Sequence, residues 1–501
     1  MAETAKPFPP GDYPAVVVGT GPGGIQMSYD LRRLGIDHAL LSADAGPGGM
    51  FRRFPLHDRL ITCSRPHAPV DPADYAYYKY DWNCMVTRQA EHRAHVSEFT
   101  DGTNYFPSRT ELVQSMGTFT ERAQVVARYD CPWQATRRDD DGRFVLTTPD
   151  GEYRCKVAVF AIGMTEPWRP AVPGMEDVPH YVDLAERGHE PYRGKRVFII
   201  GKRNSGFELA DALLPVASQL FLGSPHGSRP SITTGTPTPP RARYVQPLED
   251  SLLAGGTFVL NCGIERVERT ATGYVVHTEA TGGSGERRAY EVDEVIAATG
   301  FGTPLLDLPA LGVSTFFKAR LPSQTHFWES TTVPGVYFAG SVTQGQAGLR
   351  KYGIPSRSAS IGGFRFNCAV QARHIARTHF GVDPEPPRPM AADDVVPYLL
   401  AQVTDGPELW HQPSHLARVV SLDDDKGPHD EGVLPLAAFV DSPGSDGVAV
   451  AVETDSEGDI HPAVYVARGG EVTEHLLPSH PMHRFDGAEY HQELAVLLKP
   501  R

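Results

Sequence analysis

Residues 16–24 read VVVGTGPGG, an apolar run that breaks into glycines spaced G-x-G-x-x-G and leads into a periodic apolar stretch ending at Leu34 and Gly35. At a strand-to-helix junction this spacing is suited to gripping a diphosphate. Gly19 makes the sharp turn, Gly21 lets backbone approach the phosphates, and Gly24 lets helix and strand pack closely. A helix starting at Pro22 and Gly23 then aims its free amides at the anion. An acid normally holds the ribose about twenty residues further on; here Ser42 has that place, and Asp44 lies two residues beyond it. Gly49, Met50 and Phe51 supply a second bend and an aromatic side chain able to face a flat ring, with a plain surface turn as the alternative.

Residues 197–208, VFIIGKRNSGFE, repeat the strand–turn–helix pattern. Gly201 and Gly206 keep the outer positions, Asn204 and Ser205 open the helix, and Arg203 replaces the middle glycine. Two such units predict two nucleotide sites, for which FAD and NAD(P)H are the natural pair. A side chain at the middle position obstructs the backbone approach that a diphosphate needs. Either Arg203 swings aside and pairs with a phosphate, or the nicotinamide site is impaired. Past the next strand only Ser224 and Arg229 are placed to meet a 2′-phosphate, which favours NADPH slightly over NADH.

The elements that must carry these turns alternate strand and helix, which predicts an α/β protein with two Rossmann-like dinucleotide-binding domains. The expected divisions are an N-terminal tail over 1–13, an FAD-binding domain over 14–190 and 301–380, and an NAD(P)H-binding domain over 191–300. A proline-rich linker over 381–390 and a C-terminal extension over 391–501 follow. With 501 residues, 40 % of them hydrophobic, the chain has material for two or three cores. A formal net charge of −14 argues against nucleic acid or an anionic membrane as partner, because both demand clustered cations. There is no apolar run long enough to span a bilayer and no basic-then-apolar leader, so a cytoplasmic location is expected.

The six cysteines, Cys63, Cys84, Cys131, Cys155, Cys262 and Cys368, form no C-x-x-C pair, which argues against disulfide reduction. His461, His475, His480, His483 and His491 match no zinc spacing, and no metal is expected.

Several further segments carry a resemblance: RFPLH at 53–57 with Leu60 and Ile61, Asp81-Trp82-Asn83, Tyr105-Phe106-Pro107, the second glycine turn, Arg350-Lys351, and GFRF at 363–366. Through them, over 14–380, the chain resembles the flavoproteins with two dinucleotide-binding domains, which include flavin-containing monooxygenases, N-hydroxylases and Baeyer–Villiger monooxygenases. Within that group it is most similar to the FAD-dependent oxidoreductase domain-containing proteins typified by the endoplasmic-reticulum flavoprotein associated with degradation. The resemblance implies that the turns ending at Gly163 and Gly300 join the two domains. It also implies that Gly340 and Ser341 stand where many flavoproteins hold the ribityl chain with Gly-Asp. Ser42 departs from the usual acid, Arg203 from a smaller residue, and Ser64 from an asparagine that flavin-containing monooxygenases place near the flavin. No retention tetrapeptide stands at residues 498–501, so the endoplasmic-reticulum setting is not expected to transfer.

On this resemblance the expected activity is oxygenation of a small molecule, with NAD(P)H reducing FAD and O₂ supplying the oxygen; the cofactor does the chemistry and the protein supplies a dry, oriented pocket. Phe51, His57, Ser64 and Arg65 are the candidates at the reacting edge, with Asp81 and Asn83 next. Loop and core roles are the plainer readings of the same residues. The rival functions are an FAD oxidase or dehydrogenase that bypasses NAD(P)H, and a flavin-stabilised partner-binding protein. A homodimer is compatible with the sequence.

Overall fold

In the computed structural model of the chain, residues 6–53, 59–184, 188–228, 244–346, 356–423, 426–442 and 444–499 are described. The chain forms two compact units. One comprises Met1–Arg52, Thr62–Met164 and Thr303–Arg501, the other Arg53–Ile61 and Thr165–Gly302.

The first unit is built on β1 (Gly11–Val18), β2 (His38–Leu41), β3 (Ala135–Arg138), β4 (Phe144–Thr148) and β5 (Gly151–Phe160), ordered β2-β1-β5-β4-β3. Strand Val336–Phe338 adds to β5 in parallel, beside the parallel β1–β5 and β1–β2 pairs. Val16, Val17 and Val18 are buried because a central parallel strand is covered on both faces. Val16, Val18, Leu41, Phe160 and Phe338 share one core. Helix α1 (Pro22–Arg33) starts directly after β1, with Gly21 as N-cap and Pro22 at its first position, where the missing N–H costs nothing. Helix α2 (Arg109–Arg122) begins at Ser108, whose hydroxyl accepts from the Glu111 amide at 3.1 Å.

The second unit repeats the theme with a six-stranded sheet. Strand Arg196–Ile200 lies between Glu294–Ala297 and Gln219–Ser224, all parallel, and an antiparallel run continues from Thr257–Arg269 outward. Helices α3 (Asn204–Leu213) and α4 (Gln246–Leu252) accompany it. Two Rossmann-type sheets in an α/β chain are the fold class that the glycine turns predict.

In the first unit the chain continues through α5 (Ile361–Phe380), which packs against α1 and ends at Gly381 in the left-handed region, φ +66°. Beyond it, strands Arg388–Pro389, Gly427–Pro435, Leu416–Asp423, Gly447–Thr454, Ile460–Arg468 and Glu471–Leu476 form an antiparallel sheet in that spatial order. Part of the proline-rich segment therefore serves as an edge strand, the position where proline is tolerated. Strand Gly447–Thr454 is buried on both faces. Helices α6 (Val395–Asp405) and α9 (Ala488–Leu498) cover one face, and α8 (Leu436–Asp441) covers the other. The short helix α7 (Pro407–His411) packs against α5 and against the turn Tyr75–Lys79. No helix among the described residues is long and apolar enough to cross a membrane.

Candidate functional site

The first cradle forms where three backbone segments meet. Gly19 has φ +107°, and a Cβ there would stand 2.5 Å from the Ala161 carbonyl oxygen. At Gly24 a Cβ would lie 1.8 Å from the Gly19 oxygen, and at Gly23 it would lie 2.3 Å from Gly340 Cα. Gly49 closes on Gly21 in the same way, tied down by the Gly48 amide donating to the Thr20 carbonyl at 2.9 Å. The middle glycine differs. Gly21 has φ −69°, a value any residue adopts, and a Cβ there would find its nearest neighbour at 3.9 Å.

The space over Gly21 is therefore open, in front of the first amides of α1, which a helix leaves without intrahelical partners. Backbone of 19–24, 48–49 and 340 closes tightly around Gly21, and the open space over Gly21 fits the diphosphate of a dinucleotide. Ser42 is buried and shares a hydrogen bond of 2.6 Å with Thr20, while its oxygen accepts from the Asp44 amide at 3.1 Å. It braces the turn; Asp44 is the half-buried acid beside it. Met50, Phe51 and Ser341 are half-buried as well, and Arg109 clamps the 49–52 turn by donating to the Arg52 carbonyl at 2.7 Å. Gly163 takes φ +67° just after β5.

A loop from Thr62 to Val96 is organised around Asp81, which is wholly buried. Its carboxylate accepts from Ser64 Oγ at 2.6 Å and from the amides of Asn83, Cys84 and Val96 at 3.1, 3.3 and 2.8 Å. Asn83 accepts from the Thr62 hydroxyl at 2.6 Å and donates to the Thr62 and Cys63 carbonyls. Ser64, 2 % exposed, thus spends its proton inside the loop, whereas Arg65 is exposed.

Asp81, Cys84 and His95 also bring possible ligand atoms within 4.8 Å of one another. However, Asp81 is fully engaged by donors. Arg365 Nη1 sits 3.4 Å from the Cys84 sulfur, where a second cation would be repelled. Burial, reinforced by Asp81, pushes the Cys84 thiol well above its usual range. The trio reads as a hydrogen-bonded core.

The second cradle lies in the other unit. Gly201 has φ +122°, and a Cβ there would stand 2.2 Å from the Ala298 oxygen; a Cβ on Gly206 would be 2.2 Å from the Gly201 oxygen. Arg203 caps α3 with φ −109° and ψ −160°, and its side chain is exposed. As at Gly21, the backbone of the middle position permits a side chain. Asn204 and Ser205 form the half-buried first residues of α3. Lys202 turns inward and donates to the Leu260 carbonyl at 2.6 Å, and burial lowers its pKa to about 8. Gly300, φ +88°, accepts from the Trp168 amide at 2.9 Å. His57, Arg229, Arg350 and Lys351 lie outside the described residues.

Three side chains, those of His411, Asn367 and Gln412, have no signature in the sequence, and Arg365 enters only as part of GFRF at 363–366. Arg365 is fully buried in α5 and donates to the Cys84 and Tyr78 carbonyls at 2.7 and 2.8 Å. His411 donates to the same Tyr78 carbonyl at 2.7 Å, and its deep burial, with Arg365 adjacent, drives its pKa well below the usual imidazole value. Asn367 and Gln412 join them in one buried polar layer between α5 and α7.

Comparison with known proteins gives the family. The sequence profile of the pyridine nucleotide-disulphide oxidoreductases matches residues 16–340, and the chain belongs to that family of FAD-binding oxidoreductases. Among curated proteins it is similar to FAD-dependent oxidoreductase domain-containing protein 2 of Mus musculus. The match is 30 % identical over 209 residues and spans 40 % of this chain but only 30 % of that relative. Among solved structures it superposes on the bacillithiol disulfide reductase of Staphylococcus aureus with a TM-score of 0.53 and 16 % identity, covering 73 % of this chain and 98 % of the other. It superposes equally on the ornithine N-hydroxylase of Kutzneria sp. 744, whose structure is described with reduced FAD, NADP⁺ and L-ornithine. There the TM-score is 0.54 and the identity 15 %, with 73 % and 99 % covered. At such identities both likenesses establish the fold alone.

Proposed function

We propose that the chain is an FAD-dependent, NAD(P)H-using monooxygenase acting on a small molecule with O₂. The carrying observation is the pair of cradles, each with backbone-to-backbone approach at the outer glycines, with open space over Gly21 in the first and the exposed Arg203 at the middle of the second. In this reading 14–190 and 301–380 hold FAD through Gly19, Gly21, Gly23, Gly24, Asp44, Gly49, Gly340 and Ser341. Residues 191–300 hold NAD(P)H through Gly201, Asn204, Ser205, Gly206 and the guanidinium of Arg203. When bound, FAD supplies two-electron chemistry, taking hydride from NAD(P)H and passing electrons to O₂. The residues of this chain bind and orient: Phe51 offers an apolar wall, Arg65 a cation, and the Ser64–Asp81–Asn83 network a rigid support.

The same fold serves disulfide reductases, but the sequence holds no C-x-x-C pair and five of its six free cysteines are buried, which weighs against that reading. Arg203 keeps one alternative in view, an oxidase reduced directly by its own substrate. Mixing the flavin-loaded protein with NADPH or NADH without air separates the two. Loss of the visible flavin band supports the proposal, and an unchanged band with both nucleotides rejects it in favour of the oxidase.

A further inference from the structure

The C-terminal module reaches the flavin cradle through an unbroken line of buried hydrogen bonds. Just past α7, Gln412 accepts from the Arg357 amide at 3.0 Å and donates to Asn367 Oδ1 at 2.7 Å and to Ser358 Oγ at 2.9 Å. Asn367 in turn donates to Ser358 Oγ at 3.0 Å and to Thr343 Oγ1 at 3.3 Å. Thr343 then donates to the Gly340 carbonyl at 2.6 Å. Gln412, Asn367, Ser358 and Thr343 are all fully buried.

The direction of every bond is set by its ends. A backbone N–H can only donate at Arg357 and a backbone carbonyl can only accept at Gly340, so both amides and the Thr343 hydroxyl have one orientation that satisfies the line. Gly340 is the residue whose backbone closes on Gly23, with φ +78° in the left-handed region that its neighbours must enforce.

We infer that Gln412 is a positioning residue for flavin binding and that the module over 391–501 works as a clasp, setting the Gly340 turn against the Gly19–Gly24 turn. This rests on the FAD reading above. The module adds no group to the reacting centre; it fixes a backbone carbonyl through a directional relay. Replacing Gln412 with leucine removes the donor to Asn367 Oδ1 and the side-chain acceptor of the Arg357 amide. Replacing it with glutamate keeps the shape but supplies only acceptors. Asn367 must then turn its amide round and present an oxygen to Thr343, whose proton is already given to Gly340.

The test is FAD titration of the flavin-stripped full chain, with the melting temperature of each stripped protein measured alongside. Gln412→Leu and Gln412→Glu are expected to weaken FAD binding about tenfold or more. Tyr75→Phe removes a bond of the same interface away from the relay, the Tyr75 hydroxyl donating to Glu408 at 2.7 Å, and is expected to leave FAD affinity within about threefold of the unmodified chain. Both Gln412 variants lose buried hydrogen bonds and are expected to melt lower when stripped, so FAD affinity is read at a temperature at which every stripped chain is still folded, which separates loss of positioning from loss of folding. Unchanged FAD affinity in Gln412→Glu overturns the inference, and so does an equal loss in Tyr75→Phe. Failure of the unmodified chain to take up FAD instead overturns the flavin reading on which the inference rests.

Discussion

Gly21 and Gly24 are the same residue type three positions apart, yet the structure asks different things of them. A methyl group on Gly24 would press into the Gly19 carbonyl, 1.8 Å away. Gly24→Ala should therefore destabilise the fold itself by about 1–3 kcal/mol, read as a lower denaturation midpoint with or without FAD. Gly21→Ala meets nothing within 3.9 Å. It should leave the stripped protein's stability within about 0.5 kcal/mol while weakening FAD binding about tenfold or more, because the methyl occupies the space the diphosphate needs. Arg203 poses the mirror question in the second unit. If its guanidinium pairs with a phosphate, Arg203→Ala raises the NADPH concentration needed for half-maximal flavin reduction about tenfold; if it obstructs, the same change lowers that concentration.

At the scale of elements, what was legible in the sequence follows the range of the contacts. Gly24 and Gly206 are demanded by packing against Gly19 and Gly201 inside their own strand–turn–helix units, so the spacing survives as a readable pattern, while Gly19 and Gly201 also meet the distant Ala161 and Ala298 carbonyls. Gly340, just past the strand Val336–Phe338, meets Gly23 from far along the chain, and it is the resemblance rather than local spacing that points to it. Arg365, Asn367 and Gln412 likewise meet partners far away in the chain, and inside apolar helical sequence a buried Asn looks like any surface Asn. The resemblance places Ser64 near reacting atoms, whereas its neighbour Asp81 draws its hydroxyl inward, a pairing that no local spacing encodes. Asp81 accepts four hydrogen bonds, so Asp81→Asn presents an N–H to at least one donor and should cost about 1–3 kcal/mol, measurable as a lower urea midpoint.

Across the whole molecule, stability should depend on histidines kept neutral. Burial lowers His411 well below 6.5, and lowers His180 and His374 to about 4. A depressed folded-state pKa means that the unfolded chain binds protons first. Their contribution is thus complete above about pH 6.5 and is lost as the pH falls from there toward the folded-state values, at up to about 1.4 kcal/mol per pH unit for a fully buried group. The melting temperature should fall between pH 7 and pH 5, and less steeply in His411→Gln, whose amide can still donate to the Tyr78 carbonyl. The account as a whole depends on the first cradle, and the visible spectrum of the purified full chain, before and after adding FAD, tests it most directly. An oxidised-flavin band that stays with the protein through gel filtration, one FAD per chain on release, is the result expected. A folded protein that is colourless and retains no added FAD contradicts it.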